Sequence, residues 1–228
     1  MADKIIVQDV VKQFKETTAL NHINVSFEEG QIHGLIGRNG SGKTVLMKCI
    51  CGFMHPTSGT ITVAGKQVGK DVDIPSNMGV IIEAPGFLPA YSGFKNLSLL
   101  AGIQKKIGKP EIEETMRRVG LDPQSKKHVG KYSLGMRQRL GIAQAIMENP
   151  DILLLDEPMN GLDNHGVEDM RSLFLSLKAE GKTIVLASHS MEDIHFLCDT
   201  IHEMEAGVLT AREMERPRAA ANVSAAAQ

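Results

Sequence analysis

The feature that most constrains the fold is a glycine-rich segment, GRNGSGKT, at Gly37–Thr44. It follows the apolar stretch Gln31–Ile36, which predicts a strand, and it opens the stretch Lys43–Phe53, which predicts a helix. The segment matches G-x-x-x-x-G-K-[ST] at every fixed position. Its glycines let backbone N–H groups turn inward around an anion, and the following helix presents the positive end of its dipole. The segment therefore predicts a phosphate-binding loop between a strand and a helix.

This loop predicts a nucleoside triphosphate site with a divalent cation. We expect Lys43 to reach the β- and γ-phosphates and Thr44 to ligate Mg²⁺ through its hydroxyl. The alternative is a glycine turn that matches the pattern by chance. The residues expected to contact the nucleotide are Gly37, Arg38, Asn39, Gly40, Ser41, Gly42, Lys43, Thr44 and Val45.

A second apolar strand ends on two acids, in the segment ILLLDEP at Ile152–Pro158. The carboxyl ends of parallel strands meet at the sheet edge where ligands of such folds bind. Asp156 is therefore expected beside Thr44, holding Mg²⁺ directly or through water. Glu157 can then accept a proton from the water that attacks the γ-phosphate, or orient that water. The alternative for Glu157 is a surface acid at a strand end.

Strands and helices alternate along the chain. Strands are predicted at Ile152–Asp156 and Thr183–Ser188 with a helix at about 166–180 between them, and helical patterns occupy about 94–120 and Ser133–Glu148. This alternation favours a parallel sheet with right-handed crossovers. Further short strands are predicted at Ile5–Val7, His22–Phe27, Thr60–Ala64 and Val80–Ile82.

Composition excludes several classes of protein. The net charge of −2 offers no basic field for nucleic acid. The longest apolar runs fall far short of the ~20 residues that span a bilayer, and no secretory signal is visible, so a cytoplasmic location is expected. The three cysteines, Cys49, Cys51 and Cys198, have no zinc or disulfide spacing and are expected to be buried thiols.

The segment YSLGMRQRL at Tyr132–Leu140 lies between the two phosphate-site motifs. In that position Tyr132–Met136 resembles the signature of ATP-binding cassette (ABC) transporter nucleotide-binding subunits, commonly LSGGQ. Asn160–Asp163 resembles the loop after the catalytic acid, and His189 resembles the family's switch histidine. The resemblance extends over about residues 3–212. It implies an α/β fold: a P-loop NTPase core with a mixed, mainly parallel sheet, an N-terminal antiparallel β subdomain and a helical insert subdomain.

The resemblance implies a motor that works as a pair. Each signature would contact ATP held by the partner chain, so two ATP molecules would be sandwiched in a homodimer or a pair with a similar cassette. His189 would contact the γ-phosphate and the attacking water. The signature residues expected to act across the pair are Ser133, Leu134, Gly135 and Met136. Ser133 could instead be an ordinary helix N-cap.

Two further site residues carry open alternatives. Asp163 is expected to act across the dimer interface, and a helix N-cap is the alternative. Phe14 is expected to stack on adenine, because stacking needs only an aromatic face. A Phe packed in the core is the alternative.

The motifs depart from the family pattern at Glu83, where the family normally places a glutamine that touches Mg²⁺ and water. A carboxylate could bind Mg²⁺ more strongly but adds negative charge near the γ-phosphate. The alternative is that Glu83 points to solvent and that the register of the motif is off by one. With the Ser-Leu-Gly-Met signature, Glu83 resembles the exporter branch of bacitracin-type and lantibiotic self-immunity transporters. There the Pro85–Phe87 stretch and the helical insert would receive a coupling helix, with Phe87 and Leu88 as exposed contacts.

The leading interpretation is a transport ATPase at the inner face of the cell membrane, coupled to a separate membrane permease, with no nucleic-acid partner. A soluble cassette ATPase acting on nucleic acid or ribosomes is less favoured, because such proteins usually carry long coiled-coil inserts or two fused cassettes. A cassette that binds ATP as a scaffold without turnover also stays open because of Glu83. We expect one ATP-binding domain at 1–212, with a helical subdomain at about 84–140, and a disordered tail at 213–228.

Overall fold

The computed structural model describes residues 3–83 and 86–212, so Pro85 and the predicted tail at 213–228 lie outside the described residues. The strands are β1 (Asp3–Phe14), β2 (Thr17–Glu28), β3 (Ile32–Ile36), β4 (Ser58–Val63), β5 (Lys66–Gln67), β6 (Met78–Ile81), β7 (Ile152–Asp156), β8 (Thr183–Ala187), β9 (Thr200–Glu205) and β10 (Val208–Arg212). The α-helices are α1 (Lys43–Ile50), α2 (Gly93–Gln104), α3 (Lys109–Arg118), α4 (Leu134–Ile146), α5 (Asn164–Ala179) and α6 (Met191–Leu197).

The central sheet has the order β10-β9-β3-β8-β7-β6 and is parallel except for the β9–β10 pair. Strands β3 and β8 are buried along their whole length, and β7 is buried up to its last residue. This burial explains their continuous apolar sequences, because both faces of a parallel sheet are covered. The predicted mixed, mainly parallel sheet is confirmed.

An antiparallel sheet with the order β2-β1-β4-β5 forms the N-terminal part of the chain. Successive side chains of a strand point to opposite faces, and the two clusters of the core follow this rule. Leu153 and Leu155 of β7 pack with the helices α2 to α5. Leu154, between them, packs with α1 and the antiparallel sheet. The central sheet thus lies between a helical layer and the antiparallel sheet.

The predicted helical pattern at about 94–120 is two helices. The chain leaves α2 at Lys105, which has a left-handed backbone (φ 56°), and Pro110 lies in the first turn of α3. The helix after the glycine-rich loop is also shorter than predicted, because α1 ends at Ile50. The predicted bounds of a separate helical subdomain, about 84–140, stay a prediction, and residue 140 lies inside α4.

The three cysteines are free and buried, as expected. Burial raises the pKa of Cys49 to about 11 and that of Cys198 to about 12. Within residues 3–83 and 86–212, we find no helix with the length and apolar character needed to cross a bilayer.

Candidate functional site

The glycine-rich loop leaves the carboxyl end of β3 and enters α1 through a backbone that only glycine can follow. Gly37 and Gly42 have positive φ angles of 146° and 117°. A Cβ at Gly37 would lie 2.2 Å from the carbonyl oxygen of Met204, and a Cβ at Gly42 would lie 2.6 Å from that of Ala19. Both positions therefore exclude a side chain on conformational and on steric grounds.

Lys43 and Ser41 place polar atoms inside this loop. The Nζ of Lys43 donates to the carbonyl oxygens of Gly37 and Arg38, at 2.7 and 3.2 Å. Lys43 is only 6% exposed. The Oγ of Ser41 is buried and has no hydrogen-bond partner among the described residues. A buried hydroxyl without a partner is costly, so this loop is suited to a ligand that supplies hydrogen-bonding atoms, such as a phosphate group.

Thr44 and Asp156 meet where β7 ends beside the start of α1. The Oγ1 of Thr44 donates a 2.7 Å hydrogen bond to Oδ2 of Asp156. A hydroxyl and a carboxylate offer the oxygen ligands that Mg²⁺ prefers. The described residues contain no cluster of three or more His, Cys, Asp or Glu that could hold a metal ion. A cation held by Thr44 and Asp156 would take its remaining ligands from outside these two side chains.

Glu157 and His189 form a pair at the same sheet edge. His189 Nδ1 lies 2.8 Å from Glu157 Oε2, with the His189 side chain 71% exposed and that of Glu157 26% exposed. Glu157 has a left-handed backbone with φ 49°. Its N–H donates to the carbonyl oxygen of Ala187, the last residue of β8, at 2.9 Å. The imidazole of His189 thus orients a carboxylate that solvent can reach. A carboxylate in this arrangement can bind and orient a water molecule.

Glu83 lies just beyond β6 and also has a left-handed backbone, with φ 63°. Its carboxylate accepts a 2.5 Å hydrogen bond from Nζ of Lys48 on α1, and its side chain is 65% exposed. Lys48 was not predicted as a site residue. Its spacing of four residues from Thr44 was the available signal, because such residues share one face of a helix.

A cavity of about 460 Å³, which we call the nucleotide cavity, brings most of these groups together. Its lining residues are Ala19, Asn39, Gly40, Gly42, Lys43, Thr44, Val45, Glu83, Leu134, Gln138, Asp156, Glu157 and Asn160. Ala19, Gln138 and Asn160 were not among the predicted site residues. Several predicted residues lie outside its lining: Phe14, Gly37, Arg38, Ser41, Ser133, Gly135, Met136, Asp163 and His189.

Phe14, at the end of β1, is 44% exposed, with Nζ of Lys12 5.1 Å from its ring centroid. The alternative of a Phe packed in the core is therefore wrong. Adenine stacking on this exposed ring stays a prediction.

The signature segment begins α4. Ser133 is the N-cap, and its Oγ accepts a 3.1 Å hydrogen bond from the N–H of Met136. Leu134, the first residue of the helix, is 59% exposed. Asp163 caps α5 by accepting a 2.8 Å hydrogen bond from the N–H of Gly166. Ser133 and Asp163 are thus both helix N-caps, as the two alternatives stated. Their roles across a dimer interface stay predictions.

A second cavity of about 500 Å³, which we call the apolar groove, lies between β6 and the helical layer. Phe53, Ile74 and Ile103 line it and are 59%, 61% and 76% exposed. Glu83 lines both this groove and the nucleotide cavity. Of the two exposed apolar contacts predicted nearby, Leu88 is 50% exposed. Phe87 is half-buried and packs against the core on the side of the central sheet that faces helices α2 to α5.

Known proteins resemble this chain in sequence and in structure. The family model described as ABC transporter matches residues 20–160. The uncharacterized ABC transporter ATP-binding protein YybJ of Bacillus subtilis (strain 168) is 46% identical over 209 residues, covering 92% of this chain and 96% of that protein. The bacitracin transport ATP-binding protein BcrA of Enterococcus faecalis is 42% identical over 207 residues, covering 90% of this chain and 67% of that protein. The solved dimer of MJ0796, a bacterial ABC transporter cassette, matches with a TM-score of 0.83 at 25% identity, covering 93% of this chain and 99% of that one.

Proposed function

This chain belongs to the ATP-binding proteins of ABC transporters, and on that premise we propose that it binds and hydrolyses ATP as one member of a pair that powers export through a separate membrane subunit. The observation that carries the proposal is the convergence of two pairs at one sheet edge. Thr44 with Asp156 fits a cation beside a phosphate loop, and Glu157 with His189 fits the water that attacks the γ-phosphate.

Each residue has a defined part in the reaction. Lys43 exchanges its backbone partners for the β- and γ-phosphates, and Ser41 gains a partner for its buried hydroxyl. Thr44, Asp156 and Glu83 would hold Mg²⁺, which offsets the negative charge of the phosphates when it is bound. Glu157 orients the attacking water and accepts its proton, and His189 holds the Glu157 carboxylate in place.

Pairing completes the site from outside the chain. The exposed start of α4, with Ser133 and Leu134, supplies a helix N-terminus that can bind the γ-phosphate of ATP held by the partner chain. MJ0796, a cassette of the same fold, was solved as a dimer, which supports pairing. Loss of the γ-phosphate on hydrolysis removes this link, so the pair loosens after each turnover.

The apolar groove is the proposed contact with the membrane subunit. Three large apolar side chains along it are more than half exposed, which is the usual mark of a protein-binding surface. A coupling helix that packs there contacts Glu83, which also borders the nucleotide cavity. The chain then acts at the cytoplasmic face of the membrane. A relative named for bacitracin transport, at 42% identity, supports a peptide antibiotic as the exported cargo.

Two substitutions test hydrolysis and pairing separately. In the purified full chain, Glu157→Gln removes the proton acceptor, so we expect hydrolysis to fall by about 10²–10⁴-fold. The same variant should form a dimer with Mg-ATP, measured by size-exclusion chromatography with light scattering. A Glu157→Gln chain that stays monomeric at saturating Mg-ATP would refute the pairing.

Adding Ser133→Arg to the Glu157→Gln chain places a bulky charge at the start of α4. We expect the dimer to be lost while the affinity for a fluorescent ATP analogue stays within about twofold, because this contact lies on the partner's ATP. The matched control is Ser172→Arg on an exposed position of α5, which should leave the dimer intact. Equal losses of ATP affinity and dimer would contradict a role for Ser133 across the pair.

A further inference from the structure

The loop that follows β7 is held to the first turns of α4 at both of its ends. A Cβ at Gly161 would lie 2.3 Å from Cδ2 of Leu134, and a Cβ at Gly135 would lie 3.1 Å from the carbonyl oxygen of Gly161. At the other end, Gln138 Nε2 donates a 3.2 Å hydrogen bond to the carbonyl oxygen of Glu157. A shift of α4 therefore acts directly on the residue that carries the carboxylate.

The Glu157 backbone needs this support. Its φ of 49° is a conformation that side-chain-bearing residues adopt only when surrounding contacts hold them there. Its N–H is bound to the carbonyl of Ala187, and its carbonyl accepts both the N–H of Asn160, at 3.1 Å, and the Gln138 amide. The Gln138 amide is the contribution from α4. It fixes the peptide from which the Glu157 side chain reaches His189.

We propose that Gln138 is a positioning residue that ties the orientation of Glu157 to the position of α4. The inference rests on the proposed function, in which the first turn of α4, with Ser133, contacts ATP on the partner chain. Gln138 lies one turn further along α4 and lines the nucleotide cavity of its own chain. The arrangement of one ATP site is thus passed through α4 and the Gln138 amide to the catalytic carboxylate of the other.

The test replaces Gln138 with Met in the full chain. Methionine keeps the length of the side chain and removes the N–H donor. We expect kcat for ATP hydrolysis to fall about tenfold, with KM and the affinity for a fluorescent ATP analogue unchanged within about twofold. The matched control is Gln144→Met, on the same helix, because the side chain of Gln144 makes no hydrogen bond to any residue in the described part of the chain. It should keep the wild-type kcat.

A second measurement separates positioning from folding and from pairing. Gln138→Met placed in the Glu157→Gln chain should still dimerise with Mg-ATP, since the amide acts on the orientation of residue 157 and not on pairing. The proposal is overturned if Gln138→Met keeps the wild-type kcat, if KM rises as steeply as kcat falls, or if Gln144→Met loses as much activity. If the Glu157→Gln chain fails to pair by itself, the proposed function fails, and the kcat of Gln138→Met still reports on positioning within one chain.

Discussion

Replacing Arg171 with Met should weaken the contact between helices α5 and α6, because a buried ion pair joins them. Arg171 Nε donates to Oδ1 of Asp193 at 2.8 Å, and its Nη2 donates to Asp193 and to Glu192. The side chains of Arg171 and Asp193 are only 14% and 8% exposed. The guanidinium also lies 5.0 Å from the ring centroid of Phe196. Helix α6 begins two residues after His189, so this pair anchors the segment that carries the histidine.

The expected cost follows from the burial of Asp193. Methionine fills part of the volume but leaves that carboxylate buried without its cation, which costs about 3–5 kcal/mol in comparable pairs. The contact with Glu192 adds little, because that side chain is 79% exposed. Loss of the cation over Phe196 adds about 0.5–1 kcal/mol. We therefore expect Arg171→Met to lower the free energy of unfolding by about 4 kcal/mol, and the Tm by about 8–16 °C.

Urea unfolding of the full chain, followed by circular dichroism, measures this change. The control is the double variant Arg171→Met with Asp193→Leu, which removes both charges and should recover most of the loss, because an apolar pair costs little. A decrease of under about 1 kcal/mol in the free energy of unfolding of the single variant would show that the buried pair contributes no more to stability than an exposed pair does. A double variant as unstable as the single variant would show that packing, not the unpaired charge, caused the loss.

Two further predictions concern acid sensitivity and the phosphate loop. Burial lowers the pKa of His33 and lowers that of His202 to about 4, so the unfolded chain binds protons that the folded chain excludes. The contribution of these histidines to stability should be present above about pH 6.5 and be lost as the pH drops toward 4. His202 should account for a loss of about 2 kcal/mol in the free energy of unfolding between pH 7 and 5. In urea unfolding, the His202→Phe variant should not show this loss. Gly42→Ala should abolish binding of a fluorescent ATP analogue, because its Cβ would lie 2.6 Å from a backbone oxygen, whereas Gly40→Ala meets no atom within 4 Å and should cost only about 1 kcal/mol of stability. Equal losses of ATP binding in the two glycine variants would contradict the steric argument.

The sequence predicts the central strands well because burial on both faces leaves an unbroken apolar run. The strand predicted at Thr183–Ser188 is one residue longer than β8, and β7 is found with the predicted bounds. Strands β9 and β10, by contrast, were not predicted. In β9 only Ile201 and Met204 are buried and the other four residues are polar, and β10 is an exposed edge strand, so neither has an apolar run to reveal it.

The motif residues of the site were predicted, but their supporting contacts were not. A motif specifies which residues surround a phosphate, whereas the partners come from distant parts of the chain. Lys48 meets Glu83 from a helix 35 residues earlier, and Gln138 meets Glu157 from a helix 19 residues earlier. The left-handed backbone of Glu157 could not be predicted from the neighbouring sequence either. Two of the hydrogen bonds that hold it come from β8 and α4, which are distant in sequence.

The hydrogen bond between Lys48 and Glu83 bears on the role of Glu83, the acid that stands where the family usually has a glutamine. Glutamate and glutamine have the same length, so Glu83 can reach the same positions while adding one negative charge. Lys48 lies on α1, on the same helical face as Thr44, and its ammonium group offsets that charge beside the nucleotide cavity. Because the Glu83 side chain is 65% exposed, the pair contributes no more than about 1 kcal/mol, so Glu83 would exchange Lys48 for Mg²⁺ at small cost. We therefore expect an acid at this position to permit turnover when a cation on α1 accompanies it.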